Sequence, residues 1–258
     1  MEETKIVKLY KGKVILKFIS DPDDPDKHAY YDAKGKRLYG TTYFTGVIDK
    51  SAVLMGWVAK MMGLYLLQEK ENGNDKITEQ LIETAKKEYR RLKQEAADVG
   101  KEIHRWIAEK ISGKNPEMPE NEKVVNGITA FLKFQKEHKI KWLESERMVF
   151  SKLYQYPGTA DAIGKMGEDL VLFDFKSSKP SSISLDGIYP EHALQSAGYQ
   201  QAWEEEMGKK IDYRIIITLD KETGEFRFRK FDENEKDIKA FVNCLKLRRR
   251  LDELKNGK

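Results

Sequence analysis

Two short segments of the chain carry acidic and basic side chains at the spacing of a β-hairpin. The first ends at Asp161, and the second runs from Asp174 to Lys176. Between them, Gly167-Glu168 is typical of a two-residue type II′ turn, which has glycine in its first position. Stepping outward from this turn one residue at a time pairs Asp161 with Asp174. We therefore predict that the two carboxylates face each other, with Cβ atoms about 4.5–5.5 Å apart.

A lysine lies beside this acidic pair. Lys176 follows Asp174 by two positions, so both side chains leave the same side of the strand, roughly 7 Å apart. Two opposed carboxylates repel each other unless a cation lies between them. The set therefore suits a hard divalent cation such as Mg²⁺ or Mn²⁺, with the ammonium group near a bound water or phosphate. The alternative from the residues alone is a surface salt bridge between Lys176 and one aspartate.

The rest of the chain predicts a mixed β-sheet flanked by helices, which is an α/β (α+β) fold class. Short strands around turns predict a β-rich N-terminal extension over residues 1–45. Helical periodicity follows, and strands with one intervening helix come after it. The predicted strands are Lys5–Tyr10, Lys13–Ile19, Tyr30–Asp32, Arg37–Thr41, Glu144–Phe150, Gly158–Lys165, Asp169–Lys176, Tyr213–Asp220 and Glu225–Phe231. The predicted helices are Ser51–Gln68 (expected to be buried), Ile77–Ala97, Val99–Ile111, Asn121–His138, Glu191–Met207 and Glu233–Leu254.

Composition excludes several classes of protein. Hydrophobic residues make up 40% of the chain, which argues against disorder, and a net charge of +4 permits a polyanionic partner without requiring one. Cys244 is the only cysteine, which excludes an intrachain disulfide, a cysteine-based zinc site and a four-cysteine iron–sulfur cluster. No signal peptide is expected, and the most apolar window, Ala52–Leu67, is shorter than the ~20 residues of a membrane span. We therefore expect a soluble, intracellular protein of the cytoplasm.

The order of the motifs resembles that of the PD-(D/E)XK nuclease superfamily. Gly158-Thr159-Ala160-Asp161, Asp174-Phe175-Lys176 and the i, i+4 pair Gln195 and Tyr199 are similar to the G-x-x-D, D/E-x-K and Q-x-x-x-Y motifs of its RecB-like exonuclease branch. That branch includes mitochondrial genome maintenance and phage exonucleases. An upstream helical segment with a histidine, Gly100–His104, completes the set. The resemblance implies one nuclease domain over 1–258, with a restriction-endonuclease-like core at 76–235 and a C-terminal helix at 236–258.

The resemblance also implies a role for each residue of the metal centre. Asp161, Asp174 and the backbone carbonyl of Phe175 would bind the metal. His104 would complete the coordination shell. Lys176 would orient or activate the attacking water and offset charge in the transition state.

Three further assignments keep an alternative. His104 is a metal ligand, with Gly100 leaving room under its ring, or a core histidine of an amphipathic helix. Gln195 and Tyr199 share a helix face; they line the active site and position the lysine or the scissile strand, or they only pack the helix. Glu146 helps to orient the ligands, or it is a solvated glutamate on an edge strand.

The expected function is a Mg²⁺- or Mn²⁺-dependent DNA exonuclease that uses two ions, carries no iron–sulfur cluster and prefers single-stranded ends. Its partners would be DNA and a recombination or replication protein, and no association with a membrane is expected. Lys and Arg side chains with Trp57, Trp106 and Tyr199 would contact the DNA backbone and stack on bases. The alternatives are a structure- or site-specific endonuclease of the same superfamily and a DNA-binding or assembly protein with a vestigial nuclease site.

Overall fold

The computed structural model describes residues 3–21, 24–74, 76–178 and 184–257. The chain divides into two compact units, one formed by Met1–Val47 with Gly100–Lys258 and the other by Ile48–Val99. The described residues form nine strands in two sheets and six helices, which confirms the predicted mixed α/β class. The assignment of all 258 residues to one nuclease domain stays a prediction.

The first sheet corresponds to the predicted N-terminal extension. Its strands are β1 (Glu3–Leu9), β2 (Val14–Asp21), β3 (Asp24–Tyr31) and β4 (Arg37–Leu38), and each is antiparallel to the next. The predicted strand Arg37–Thr41 is wrong at its end, because Thr41–Thr45 forms the short helix α1. Phe44 of this helix is buried in the main core, and that tertiary contact outweighs the strand preference of the threonines.

The second sheet is the predicted mixed sheet. Its order is β5 (Lys141–Ser151), β6 (Tyr156–Met166), β7 (Asp169–Lys176), β8 (Tyr213–Leu219) and β9 (Phe226–Phe231). Only the β7–β8 pair is parallel, because α5 (Pro190–Met207) connects these two strands and returns the chain to the same end of the sheet.

Helices cover both faces of this second sheet. Phe131 of α4 (Glu122–His138) contacts the ring of Phe175 at 5.5 Å between centroids, edge to face. On the other face, Trp203 and Ala202 of α5 belong to the same buried cluster as Leu172. Alternate residues of β7 therefore enter different halves of the core, as the period of a strand requires. The last helix, α6 (Asn234–Lys255), packs mainly against α5.

Helix α3 differs from its prediction. The segments Ile77–Ala97 and Val99–Ile111 were expected as two helices, but the structure has one helix of 33 residues, Glu79–Ile111. Gly100 lies inside this helix, where a glycine costs only about 1 kcal/mol relative to alanine. A Cβ at that position would lie 2.7 Å from the Oγ of Ser177. Gly100 thus makes room for the end of β7, and the expectation that it makes room for the ring of His104 is corrected.

The unit formed by Ile48–Val99 contains α2 (Ser51–Glu71) and the first part of α3. Helix α2 was predicted to be buried, but none of its residues is. Apolar side chains lie on all sides of this helix instead of forming one stripe, so the sequence pattern does not indicate which face packs against a partner. Its 21 residues, with a mean hydropathy of 1.2 over the most apolar window, meet the length and composition of a membrane-spanning helix. The expectation that this segment is too short for a membrane span is therefore wrong. Within the unit, Trp57 contacts Tyr89 edge to face at 6.1 Å.

Candidate active site

The β6–β7 hairpin brings Asp161 and Asp174 to adjacent positions. Ala162 pairs with Phe173, so the next residues outward on the two strands are these aspartates. The register agrees with the predicted one, and Gly167 has the positive φ, 63°, that the first position of a type II′ turn requires. Beyond the last paired residues, the Oδ2 of Asp161 accepts a 2.7 Å hydrogen bond from the backbone N–H of Phe175.

Glu146 on β5 extends this row of carboxylates to a third strand. The pairs on either side of it, Ser145 with Ala162 and Arg147 with Ala160, place Glu146 opposite Asp161. Its φ is 47°, in the left-handed region that costs a non-glycine residue about 1–3 kcal/mol and that recurs at functional sites. From the sequence, Glu146 was interpreted either as a residue that orients the ligands or as a solvated glutamate on an edge strand. Its position opposite Asp161 could not be predicted, because it depends on a bulge between Trp142 and Glu144.

His104 approaches the carboxylates from α3. Its Nδ1 lies 3.7 Å from the Oδ1 of Asp161, and its ring meets that of Phe175 edge to face at 6.3 Å. One donor atom from each of His104, Glu146 and Asp161 lies within 4.8 Å of the other two. One imidazole nitrogen and two carboxylate oxygens at this separation suit a divalent metal ion.

The raised pKa values of Glu146 and Asp174 also favour a bound cation at this site. Burial, and then the charge of Asp161, raise the pKa of Glu146 from 4.5 to about 7. Asp174 is 1% exposed, and burial raises its pKa to about 6 against the opposing effect of Lys176, while Asp161 raises it further. Carboxylates held this close carry excess negative charge near neutral pH, and a bound cation would relieve it.

Lys176 forms an ion pair with Asp174, with 2.7 Å between the Nζ and Oδ2 atoms. Burial opposes the charge of this ammonium group, but the charges of Asp174 and Asp161 outweigh it and raise the Lys176 pKa above its ordinary value. The lysine is therefore protonated near neutral pH. It is mostly buried at the end of β7, so the predicted alternative of an exposed surface salt bridge does not describe this pair.

Gln195 and Tyr199 on α5 lie directly beside the lysine. The Oε1 of Gln195 accepts a 3.4 Å hydrogen bond from Lys176, and its Nε2 donates to the Oη of Tyr199 at 2.7 Å. The same Nε2 donates to the Oγ1 of Thr42 in α1 at 2.9 Å, a contact that no sequence signal indicated. A Cβ at Gly158 would lie 2.8 Å from the ring of Tyr199, which explains the glycine that begins the Gly158–Asp161 motif.

The remaining residues predicted for the site are Phe175, Trp106 and Trp57, and they do not all lie beside the carboxylates. Phe175 is buried in the core through its side chain, but its N–H points towards Asp161. In an extended strand the C=O of a residue points to the same side as its N–H, so the carbonyl lies on the side of the carboxylates. Trp106 is a core residue whose indole N–H donates to the carbonyl of Glu117, so it offers no open stacking surface. Trp57 belongs to the unit formed by residues 48–99.

A cavity of about 670 Å³ opens beside the carboxylates and has Glu146 and Tyr199 in its wall. The rest of its lining comes from the N-terminal sheet, the segment that leads into α1, and parts of α3, β5 and β6. These lining residues are Lys5, Phe18, Ser20, His28, Ala29, Tyr30, Arg37, Leu38, Tyr39, Gly40, Thr41, Thr42, Tyr43, Lys101, Met148, Gly158 and Thr159.

No family model and no curated protein matches the sequence. Among solved structures, the chain is similar to the alkaline exonuclease LHK-Exo from Laribacter hongkongensis, with a TM-score of 0.37, 13% identity, and coverage of 84% of this chain and 94% of that chain. A TM-score of 0.37 does not establish a shared fold. The arrangement of Glu146, Asp161, Asp174, Lys176 and His104 is the basis for assigning a function.

Proposed function

We propose that this protein is a metal-dependent deoxyribonuclease that hydrolyses DNA from its ends. The observation that carries the proposal is the convergence of His104, Glu146 and Asp161 within 4.8 Å, next to the buried pair of Asp174 and Lys176. A histidine nitrogen and clustered carboxylates can hold a divalent ion, and a protonated lysine beside them can stabilise negative charge on a phosphodiester.

The donor set fits a divalent cation. Its carboxylates are partly or fully buried, and burial is the main reason that two of them, Glu146 and Asp174, have raised pKa values. Asp161, Glu146 and His104 would hold the ion, with Asp174 and the Phe175 carbonyl as the next ligands along β7. Oxygen ligands favour Mg²⁺ or Mn²⁺, and the imidazole is compatible with Mn²⁺. When bound, such an ion polarises the phosphodiester and makes a nearby water more acidic.

The protein side chains supply the remaining chemistry. Lys176 keeps a fixed positive charge beside Asp174, where it stabilises negative charge that develops on the phosphate oxygens. Gln195 accepts from Lys176 and is held by Tyr199 and Thr42, so the ammonium group is oriented before the substrate arrives. A pre-oriented charge in a partly buried site costs no reorganisation during the reaction.

We assign the core to the RecB-like branch of the PD-(D/E)XK superfamily. The support is that the matched motifs lie on α3, β6, β7 and α5 in the order the resemblance implies, and that they meet at one place. A preference for single-stranded ends, two ions, a role in DNA repair or recombination with a protein partner, and a cytoplasmic location complete the proposal.

The test is digestion of purified DNA. Linear single- and double-stranded DNA labelled at either end is incubated with Mg²⁺, with Mn²⁺ and with EDTA, beside covalently closed single-stranded circles. We expect metal-dependent loss of linear strands without a sequence pattern, faster on single strands, while the circles survive. Rapid cutting of circles would replace the exonuclease with an endonuclease. Absence of cleavage under all conditions would refute the nuclease assignment.

A further inference from the structure

One wall of the cavity beside the carboxylates is formed by a part of the N-terminal sheet that lies beyond the small core packed against β5. On β2, Leu16 is buried with Leu9 of β1 against Phe150 of β5. Phe18 is the next residue on the same face of β2, since side chains alternate along a strand. It lies beyond this small core and lines the cavity. The sheet therefore extends past the surface that it stabilises, towards the carboxylates.

One row of side chains crosses this overhanging part of the sheet. Lys5 on β1 pairs with Phe18 on β2, and Phe18 pairs with Tyr30 on β3. Directly paired residues share a face, so an exposed ammonium group, a phenylalanine ring and a tyrosine ring lie side by side. His28 follows on the same face of β3, and its ring lies 5.7 Å from that of Phe18.

Tyr30 fixes this aromatic group in place. It is 8% exposed, its ring lies 5.0 Å from that of Phe18, and its hydroxyl shares a 2.9 Å hydrogen bond with the Oγ1 of Thr159 on β6. Thr159 lies two positions before the proposed ligand Asp161. The anchored tyrosine thus holds the half-buried ring of Phe18 at a set position relative to the metal site.

A second aromatic surface lines the same cavity. Tyr39 stacks on Tyr43 with 4.3 Å between ring centroids and an interplanar angle of 25°. Tyr39 is 46% exposed, and the guanidinium group of Arg37 lies 5.5 Å from its centroid. Lys101 of α3 adds another exposed cation to the lining. Flat rings interleaved with cations are the pattern of single-stranded nucleic acid sites, where bases stack and phosphates meet basic side chains.

We infer that this cavity binds unpaired nucleobases of single-stranded DNA, stacked on Phe18 and Tyr39, immediately beside the nuclease site. The choice of DNA rests on the proposed function. A volume of about 670 Å³ lies in the range of sites that hold one small ligand, so the cavity has room for an unpaired base. Stacking accepts any base, because every base has a flat π-face. The cavity would therefore select unpaired strands without selecting a sequence.

The test compares two oligonucleotides of equal length, one of ordinary deoxynucleotides and one in which every base is replaced by a tetrahydrofuran abasic analogue. Both carry the same phosphates, so their difference measures contacts to bases. Binding is followed by fluorescence anisotropy in EDTA, where a metal-dependent enzyme does not cut. We expect the wild-type protein to bind the base-bearing strand at least about 25-fold more tightly, because each of the two stacked bases contributes about fivefold or more.

Four variants test whether this preference for bases arises in the cavity. Phe18→Ala and Tyr39→Ala should each reduce it at least fivefold, whereas Phe18→Trp, which keeps an aromatic face, should retain it. Phe228→Ala removes an aromatic ring of β9 that is 42% exposed and outside the cavity, and it should bind as the wild type does. Tyr39→Ala changes an exposed residue, so its result counts even where Phe18→Ala weakens the sheet.

Two results would overturn the inference. One is equal affinity of the wild-type protein for both oligonucleotides, and the other is an unchanged preference in both Phe18→Ala and Tyr39→Ala. Cleavage by the wild-type protein is measured separately with Mn²⁺. A protein that prefers the base-bearing strand but never cuts DNA would refute the nuclease function and support the base-binding cavity. A protein that cuts DNA without this preference would support the nuclease function and refute the base-binding cavity.

Discussion

The Nδ1 of His104 lies 3.7 Å from the Oδ1 of Asp161. This separation is too long for a hydrogen bond, and the two residues would together hold a divalent ion placed between them. The two residues come from α3 and β6, so the contact exists only because the end of α3 packs against the mouth of the β6–β7 hairpin. The close approach of Gly100 to Ser177 allows that packing.

Substitution of Asp174 or Lys176 should slow cleavage strongly while the fold remains. Asp174→Asn keeps the shape of the side chain and removes its charge, and Lys176→Ala removes the oriented ammonium group. We expect each to slow cleavage on the order of 10²–10³-fold, with Lys176→Ala still binding metal and DNA. Matched controls are Asp169→Asn, at the exposed start of β7, and Lys165→Ala on β6. Near wild-type cleavage by both Asp174→Asn and Lys176→Ala would mean that the site is misassigned.

His104→Ala distinguishes a metal ligand from a core histidine. Loss of a ligand should raise the Mn²⁺ concentration for half-maximal cleavage at least about tenfold, because even residues that only orient a ligand contribute about 10–100-fold, and it should alter the preference between Mg²⁺ and Mn²⁺. His138 provides the comparison, because its ring packs on Phe134 at 4.5 Å away from the carboxylates. His138→Ala should lower the melting temperature and leave the metal titration unchanged. The same behaviour in His104→Ala would assign His104 to the core.

Glu146→Gln should stabilise the metal-free protein and weaken cleavage. The amide keeps the size of the side chain and removes one charge from a row of three carboxylates. For a chain of this size, each kcal/mol gained raises the melting temperature by about 2–4 °C. Differential scanning fluorimetry in EDTA at pH 8 measures the gain, and cleavage rates in Mn²⁺ measure the loss. A Glu146→Gln variant that is both less stable and fully active would exclude this residue from the metal site.

The stability gained in Glu146→Gln should depend on pH. The folded-state pKa of Glu146 is raised to about 7 from 4.5, so the folded protein binds this proton more tightly than the unfolded chain. The carboxylate therefore destabilises the fold increasingly as pH rises from about 4.5 to 7, and fully above that range. We expect the melting temperatures of wild type and Glu146→Gln to differ at pH 8 and to converge near pH 4.5. A difference that does not vary with pH would show that charge is not its cause.

Thr42→Val tests how α1 contributes to the site. The change keeps the side-chain shape and removes the acceptor for the Nε2 of Gln195, so Lys176 loses part of its support. We expect cleavage to slow about fivefold to tenfold, with an unchanged Mn²⁺ titration. Thr84→Val, at an exposed threonine that bonds only within α3, is the control. If both variants cut at the wild-type rate, the contact between α1 and α5 does not position the lysine.

The sequence by itself determined the β6–β7 hairpin and what it presents. Turn chemistry at Gly167 and the alternation of β7 are local properties, so the register and the shared side of Asp174 and Lys176 follow from neighbouring residues. The i, i+4 spacing of Gln195 and Tyr199 is local in the same way. The bounds of α4, α5 and most strands were predicted within a few residues for this reason.

Tertiary structure decided what distant segments contribute. The place of Glu146 depends on a bulge in β5 and on a positive φ, and Thr42 reaches Gln195 only after α1 docks on α5. The continuity of α3 through Gly100 and the exposure of α2 also depend on what packs against each helix, which periodicity does not reveal. Local patterns fix the direction of a side chain, but the partner that it meets is set by non-local packing. For that reason Asp161, Asp174 and Lys176 could be grouped from the sequence, whereas the cavity beside them could not.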